Sequence, residues 1–261
     1  MTTIITISNH KGGVGKTTTA AHLGQALANL GKNVLLIDFD PQANLTILFG
    51  AQCSDAASYL LTLGLGQAET SLIQNLVVPV RERLSLLPAS AGLSGAQAQI
   101  NASGRGIDWV RQVLQRFLRH DLHYIIIDTN PSASGIQERA IWAADLLIIP
   151  TQAEGLSVSG VSSMLRLART LNTQYAWQGL VFGVLPTMVR ADGSNVMPRE
   201  HRAALDEMRD AFGNLLLQGI PDRAAVKECA AFTRTLFEFA SDNAAAQAYL
   251  QLAKKIRSAT Q

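Results

Sequence analysis

Residues 11–18 read Lys-Gly-Gly-Val-Gly-Lys-Thr-Thr and directly follow an apolar run containing Ile4, Ile5 and Ile7. Glycines at 12, 13 and 15 let successive backbone N–H groups turn toward one anion without Cβ clashes. A helix starting just after them adds the partial positive charge of its N-terminus. Lys16 is spaced to reach the outer phosphates of a polyphosphate, and the Thr17 hydroxyl to enter the shell of a divalent cation, with Val14 and Thr18 completing the loop. The usual GxxxxGK[ST] loop begins with glycine, but His10 stands there, and an additional lysine, Lys11, follows it.

Two acidic segments have matching placement. Ile37-Asp38-Phe39-Asp40-Pro41-Gln42-Ala43-Asn44 closes a second apolar run. Carboxylates two apart on a strand face opposite ways, but a turn at the strand end lets Asp38 and Asp40 approach one metal and one terminal phosphate. Tyr124-Ile125-Ile126-Ile127-Asp128 is an apolar run ending in an acid, the pattern of a Walker B carboxylate that holds Mg²⁺ through water.

To present these groups together the chain needs parallel strands joined by crossover helices, and its pattern supplies them. Strands are expected at Thr3–Ser8, Asn33–Asp38, Leu84–Leu87, Tyr124–Asp128, Leu146–Pro150 and Leu180–Pro186. The first helix follows Lys16, with Ala20, Leu23, Leu27 and Leu30 on its apolar side and Gly31 as its stop. Residues 88–106 are rich in Ala, Ser and Gly and form a helix and loop without clear boundaries. The fold class is therefore α/β, a mostly parallel central sheet with helices on both faces, and residues 1–261 form a single P-loop NTPase domain. Hydrophobic residues make up 48% of the chain and charged ones 16%, enough apolar surface for one large core. With a formal charge of only +2, binding to DNA or acidic lipid must come from local clusters. Cys53 and Cys229 fit neither a disulfide framework nor a zinc site, and a reducing compartment suits them. No secretory signal opens the sequence and no apolar run is long enough to span a bilayer, so a cytoplasmic protein is expected.

The Lys11–Thr18 box resembles the deviant Walker A box of the ParA and MinD superfamily, and Asp38–Asn44 is similar to the D-x-D-P-Q-x-N box of its ParA branch. The similarity continues in Pro150-Thr151-Gln152-Ala153-Glu154, in Pro186-Thr187-Met188, in Ile220-Pro221 and in the closing A-x-x-Y-x-x-L-A-x-x-I pattern of residues 246–256. It implies an ATPase using ATP/ADP and Mg²⁺. Lys11 would reach across a dimer to the partner's nucleotide, Asp40 would position the attacking water, and Asp38 would help hold the magnesium shell with Thr17 and Asp128. Glu154 would meet nucleotide or partner, and Pro186, Thr187, Met188 and Pro221 would lie beside the adenine. Several places depart from the family: Asn130 replaces a proline after Asp128, Val189-Arg190-Ala191-Asp192 replaces an aromatic-Asp-x-Arg-Thr run, and Glu228–Arg234 lacks the proline and glycine of its loop.

The resemblance further implies an ATP-dependent homodimer that binds nonspecific DNA on the nucleoid. An adaptor, ParB-like or a small cargo adaptor, would stimulate hydrolysis, and the cargo would be a plasmid, a chromosome or a protein body such as a carboxysome. Arg199, Arg202, Arg223, Lys227 and Arg234 are the DNA-binding candidates, Lys227 foremost. No helix-turn-helix precedes the phosphate loop, so operator binding is not expected. A MinD-like membrane role is the alternative, but Lys254–Gln261 is basic with few bulky apolar residues, so no membrane partner is expected. An iron–sulfur enzyme of the same superfamily needs paired cysteines that this chain lacks.

Overall fold

In a computed structural model, residues 2–62, 71–72, 74–117, 121–131, 135–154, 157–190 and 197–260 are described. The described strands form one seven-stranded sheet in the order β3-β4-β2-β5-β1-β6-β7. They are β1 (Thr3–Ile7), β2 (Val34–Phe39), β3 (Val78–Arg81), β4 (Leu84–Leu87), β5 (Tyr124–Thr129), β6 (Leu146–Gln152) and β7 (Leu180–Thr187). All neighbours run parallel except β3, which pairs antiparallel with β4. Six strands stand where the sequence places them. The seventh, β3, escapes the pattern because it is a four-residue edge strand containing Pro79, with a register shift between Pro79 and Arg81.

Alternate side chains of the strands build two different cores, as period-2 geometry requires. Ile5, Ile7, Leu36 and Ile126 pack against α1 (Lys16–Asn29) and the C-terminal helix Ala244–Ala259. Ile4, Leu35, Ile37, Ile125 and Ile127 face the helices Ala56–Thr62, Leu93–Ala102, Trp109–Phe117 and Gly135–Ala143. The small-residue stretch expected at 88–106 thus contains the ten-residue helix Leu93–Ala102. A third core joins β6 and β7 to the helices Ser157–Tyr175 and Arg199–Phe212 through Leu147, Ile149, Met164, Val184 and Met208.

The strand order matters for function. It sets β2, β5 and β1 side by side, with Asp38 opposite Asp128 and Asp128 opposite Ile7 in the register. The phosphate loop and both acidic segments therefore leave the sheet together at the carboxyl ends of adjacent strands, where open α/β sheets bind ligands.

Candidate nucleotide site

The loop between Ile7 and Lys16 is held in shape before any ligand is considered. Gly13 and Gly15 sit at φ 72° and 83°, a region that favours glycine. A Cβ on Gly12 or Gly13 would meet nothing within 4 Å, so those glycines front an open cradle rather than a crowded core. Buried Asn9 staples the loop: its Nδ2 donates to the Pro150 carbonyl at 2.7 Å and its Oδ1 accepts from the Lys11 N–H at 3.0 Å. Thr187 closes the other side, its hydroxyl donating to the Val14 carbonyl at 2.9 Å.

Two lysines flank this cradle in different settings. Lys16 is buried, and its ammonium donates to the Lys11 carbonyl at 3.1 Å. Burial lowers its pKa, against the pull of Asp128 and Asp40 in the other direction. Lys11 is exposed and lies 3.7 Å from the Glu154 carboxylate, an ion pair in solvent that binds weakly.

The three acids divide into one that is fully engaged, one at the cleft and one uncompensated. Asp38 is buried, with Oδ1 accepting from the Asp40 N–H at 3.1 Å and Oδ2 from the Thr46 N–H at 2.9 Å and hydroxyl at 2.7 Å. Its pKa is pushed up to about 6, chiefly by burial, although the Thr46 bonds work against the shift. The resemblance implies that Asp38 helps hold a magnesium shell; in this structure its oxygens also hold the turn that carries Asp40. Asp40 lines the cleft with Gly12, Gly13, Lys16 and Thr17, and its Oδ1 accepts from the Gln42 N–H at 2.9 Å. Asp128 is fully buried and neither oxygen has a hydrogen bond of normal geometry. Burial and then the Asp38 charge raise its pKa well above the usual carboxylate range, while the nearby Thr17 hydroxyl and Lys16 oppose the rise. Among the described residues no three acids, histidines or cysteines cluster as a metal site, so a cation here needs ligand oxygens as well as protein ones. An orphaned carboxylate beside a threonine hydroxyl fits Mg²⁺ held in that shared way.

This geometry agrees with what the chain resembles. A family model described as an AAA domain matches residues 2–178. The chromosome partitioning protein ParA of Caulobacter vibrioides is 30% identical over 255 residues, covering 97% of this chain and 93% of that one. Maintenance of carboxysome distribution protein A (McdA) of Synechococcus elongatus is 32% identical over 225 residues, 86% and 87% of the two chains. The solved ATP complex of Cyanothece McdA superposes with a TM-score of 0.85 at 25% identity, covering 97% of this chain and 96% of that chain. The chain belongs to the ParA family of P-loop ATPases.

In this ParA-family chain a second cleft, of about 360 Å³, opens beside Gly15 and Thr18. It is lined by Thr187, Met188, Ile220, Pro221, Tyr249 and Lys227, and its size and mostly apolar walls suit a purine base. Thr187, Met188 and Pro221 thus line one cleft beside the phosphate loop, and Pro186 is not among its lining residues. Tyr249 was not anticipated as a site residue. It sits in the closing helix, which reads as packing, and only the fold brings it under the loop, 3.5 Å from the Thr19 hydroxyl.

The basic candidates are less unified. Arg199 and Arg202 are exposed on the first turn of the helix Arg199–Phe212. Arg223 precedes the helix Ala224–Ala231 and its Nη1 donates to the Asp222 carbonyl at 2.8 Å, while Arg234 is exposed beyond that helix. Lys227, the foremost DNA candidate in the sequence, lies at the rim of the base cleft. Ala191 and Asp192 fall outside the described residues.

Proposed function

We propose that this ATPase is a spatial switch: ATP brings two copies together, the pair binds DNA without sequence preference, and an adaptor triggers slow hydrolysis that resets the cycle. The observation that carries this reading is the separation of the two loop lysines. Lys16 is folded onto its own loop, whereas Lys11 is exposed and its ammonium is tethered only by a solvent-exposed ion pair with Glu154 at 3.7 Å. A lysine so placed serves a phosphate presented by another copy better than one held in its own site.

Within each copy the loop N–H groups and Lys16 hold the phosphates. Thr17 and Asp128 would hold a magnesium ion, which would neutralise charge on the outer phosphates. Asp40, kept at the cleft by Asp38 and the Gln42 N–H, orients the attacking water and accepts its proton. Lys11 of the second copy adds positive charge where the transferring phosphoryl group develops negative charge. Exposed Arg199, Arg202, Lys227 and Arg234, with half-buried Arg223, supply the phosphate contacts to DNA, and pairing two copies doubles a patch that is weak in one.

The family names of the relatives, chromosome partitioning and carboxysome distribution, frame the cargo: a DNA molecule or a protein body on the nucleoid. A membrane anchor on the C-terminal helix is disfavoured, because the apolar side of Ala244–Ala259 is occupied by the core through Tyr249, Leu252, Ala253 and Ile256. The test is binding to random-sequence duplex DNA in ATP and in ADP across a salt series, with anionic vesicles alongside. Salt-sensitive DNA binding in ATP alone supports the switch. DNA ignored in both states, or vesicles bound instead, overturns it.

A further inference from the structure

The nucleotide cleft and the basic helix Arg199–Phe212 are joined by an unbroken run of polar contacts. At the loop, Gln152 Nε2 donates to the Gly13 carbonyl at 3.0 Å and also contacts Met188 Sδ at 3.1 Å. Met188 lines the base cleft and is held at φ 53°, a left-handed conformation uncommon for a residue that is not glycine. Its carbonyl is met by His201 Nε2 at 3.2 Å. A carbonyl only accepts, so the half-buried imidazole carries its proton on Nε2 and donates. His201 stands on the same turn as Arg199 and Arg202. The next residue ties in the other side of the base cleft: the Val189 N–H donates to the Ile220 carbonyl at 3.0 Å and the Asp222 N–H donates to the Val189 carbonyl at 2.8 Å. Asp222 in turn accepts from Arg223 through its carbonyl.

Met188–Val189 is therefore a node reached from the phosphate loop through Gln152, and bonded directly by the base-flanking segment and by the helix bearing two exposed arginines. Among the described residues, His201 makes the hydrogen bond that links this node to the basic helix, so a base or phosphate that shifted the node would be felt there.

We infer that His201 is a positioning residue: through the Met188 carbonyl it passes the occupancy of the nucleotide cleft to Arg199 and Arg202, coupling ATP binding to DNA binding. This rests on the proposed DNA-binding switch and deepens it. Linkage requires the coupling to be reciprocal, so DNA must tighten ATP binding by the factor with which ATP tightens DNA binding. One net hydrogen bond limits what His201 contributes to about fivefold in that factor.

The experiment measures binding of a fluorescent ATP analogue with and without random-sequence duplex, at one salt concentration, for the wild type, His201→Ala and His201→Gln. The Ala variant is expected to bind nucleotide as the wild type does when DNA is absent, within about twofold, while the coupling factor falls by about fivefold. His201→Gln, whose side-chain amide can donate to the same carbonyl, is expected to restore most of it. An unchanged factor in the Ala variant, with wild-type coupling present, overturns this inference and leaves the switch standing. Equal loss in both variants together with a lower melting temperature also overturns it, since His201 then serves only to hold the helix. A wild type with no ATP-dependent DNA binding overturns both readings.

Discussion

Asp128→Asn tests the site through stability rather than turnover. The Asp128 carboxylate is fully buried, without a normal hydrogen bond to protein, and faces the charge of Asp38. An uncompensated buried group of this kind costs about 1–3 kcal/mol, and an amide of the same shape removes the charge while its NH₂ can donate toward Asp38 or Thr17. At roughly 2–4 °C per kcal/mol for a chain of this size, the variant should melt about 2–12 °C higher than the wild type by calorimetry at neutral pH in the presence of a chelator. The sign with pH is fixed as well. Asp128 and Asp38 both have raised folded-state pKa values, so their contribution is fully present below the unfolded value and is lost as pH rises through the folded one, which for Asp38 is about 6. The wild type should therefore lose more stability than the variant as the pH is raised. Magnesium and ATP should then invert the comparison, because a ligand at a hundred times its dissociation constant adds about 2.7 kcal/mol, and the variant forfeits the metal-dependent share. A variant that melts below the wild type without nucleotide would refute the reasoning, since the carboxylate would then be satisfied within the protein.

Lys11→Ala should leave nucleotide binding by a single copy intact while DNA-stimulated or adaptor-stimulated hydrolysis falls by roughly a hundredfold; loss of nucleotide binding itself would place Lys11 in its own cradle. Asp40→Ala should bind ATP and still pair, with turnover down by about 10²–10³ in a phosphate-release assay. Normal turnover would remove Asp40 from the chemistry. His22 is fully buried with its pKa lowered to about 3 by desolvation and Nδ1 unpartnered, so its contribution is present above the unfolded value near 6.5 and is lost as pH falls toward 3. His22→Leu should make acid unfolding shallower by about 1.4 kcal/mol per pH unit within that window, and an unchanged slope would mean another group takes up the proton.

Legibility in the sequence followed the range of the interactions. The loop, Asp40 and Asp128 could be read because local spacing alone puts each at the end of an apolar run, and parallel pairing then aligns those ends. Asp38 reads like Asp40 in sequence, and only the fold shows its oxygens engaged by Thr46, eight residues on in a turn that no short motif describes. Lys227 looks like any surface lysine until the helix Ala224–Ala231 is docked against the base cleft. Met188, Gln152 and His201 come from three elements whose meeting depends on the strand order β1-β6-β7, which hydrophobic periodicity does not encode.

The same contrast explains why this site pulls against stability. A charge at the end of a central strand is desolvated by the packing that places it, and Asp128 has no side chain of its own element to answer it. The groups that do oppose its pKa rise, Thr17 and Lys16, lie on the phosphate loop and the start of α1, and Lys16 is itself depressed by burial while bonded to a loop carbonyl. The buried Asp128 carboxylate and the buried Lys16 ammonium are groups whose charge triphosphate and a divalent cation together can answer. Gln152, bonded to the Gly13 carbonyl and in contact with Met188, ties the loop to the base cleft. A site already satisfied by protein groups alone would gain less from taking up triphosphate and a divalent cation.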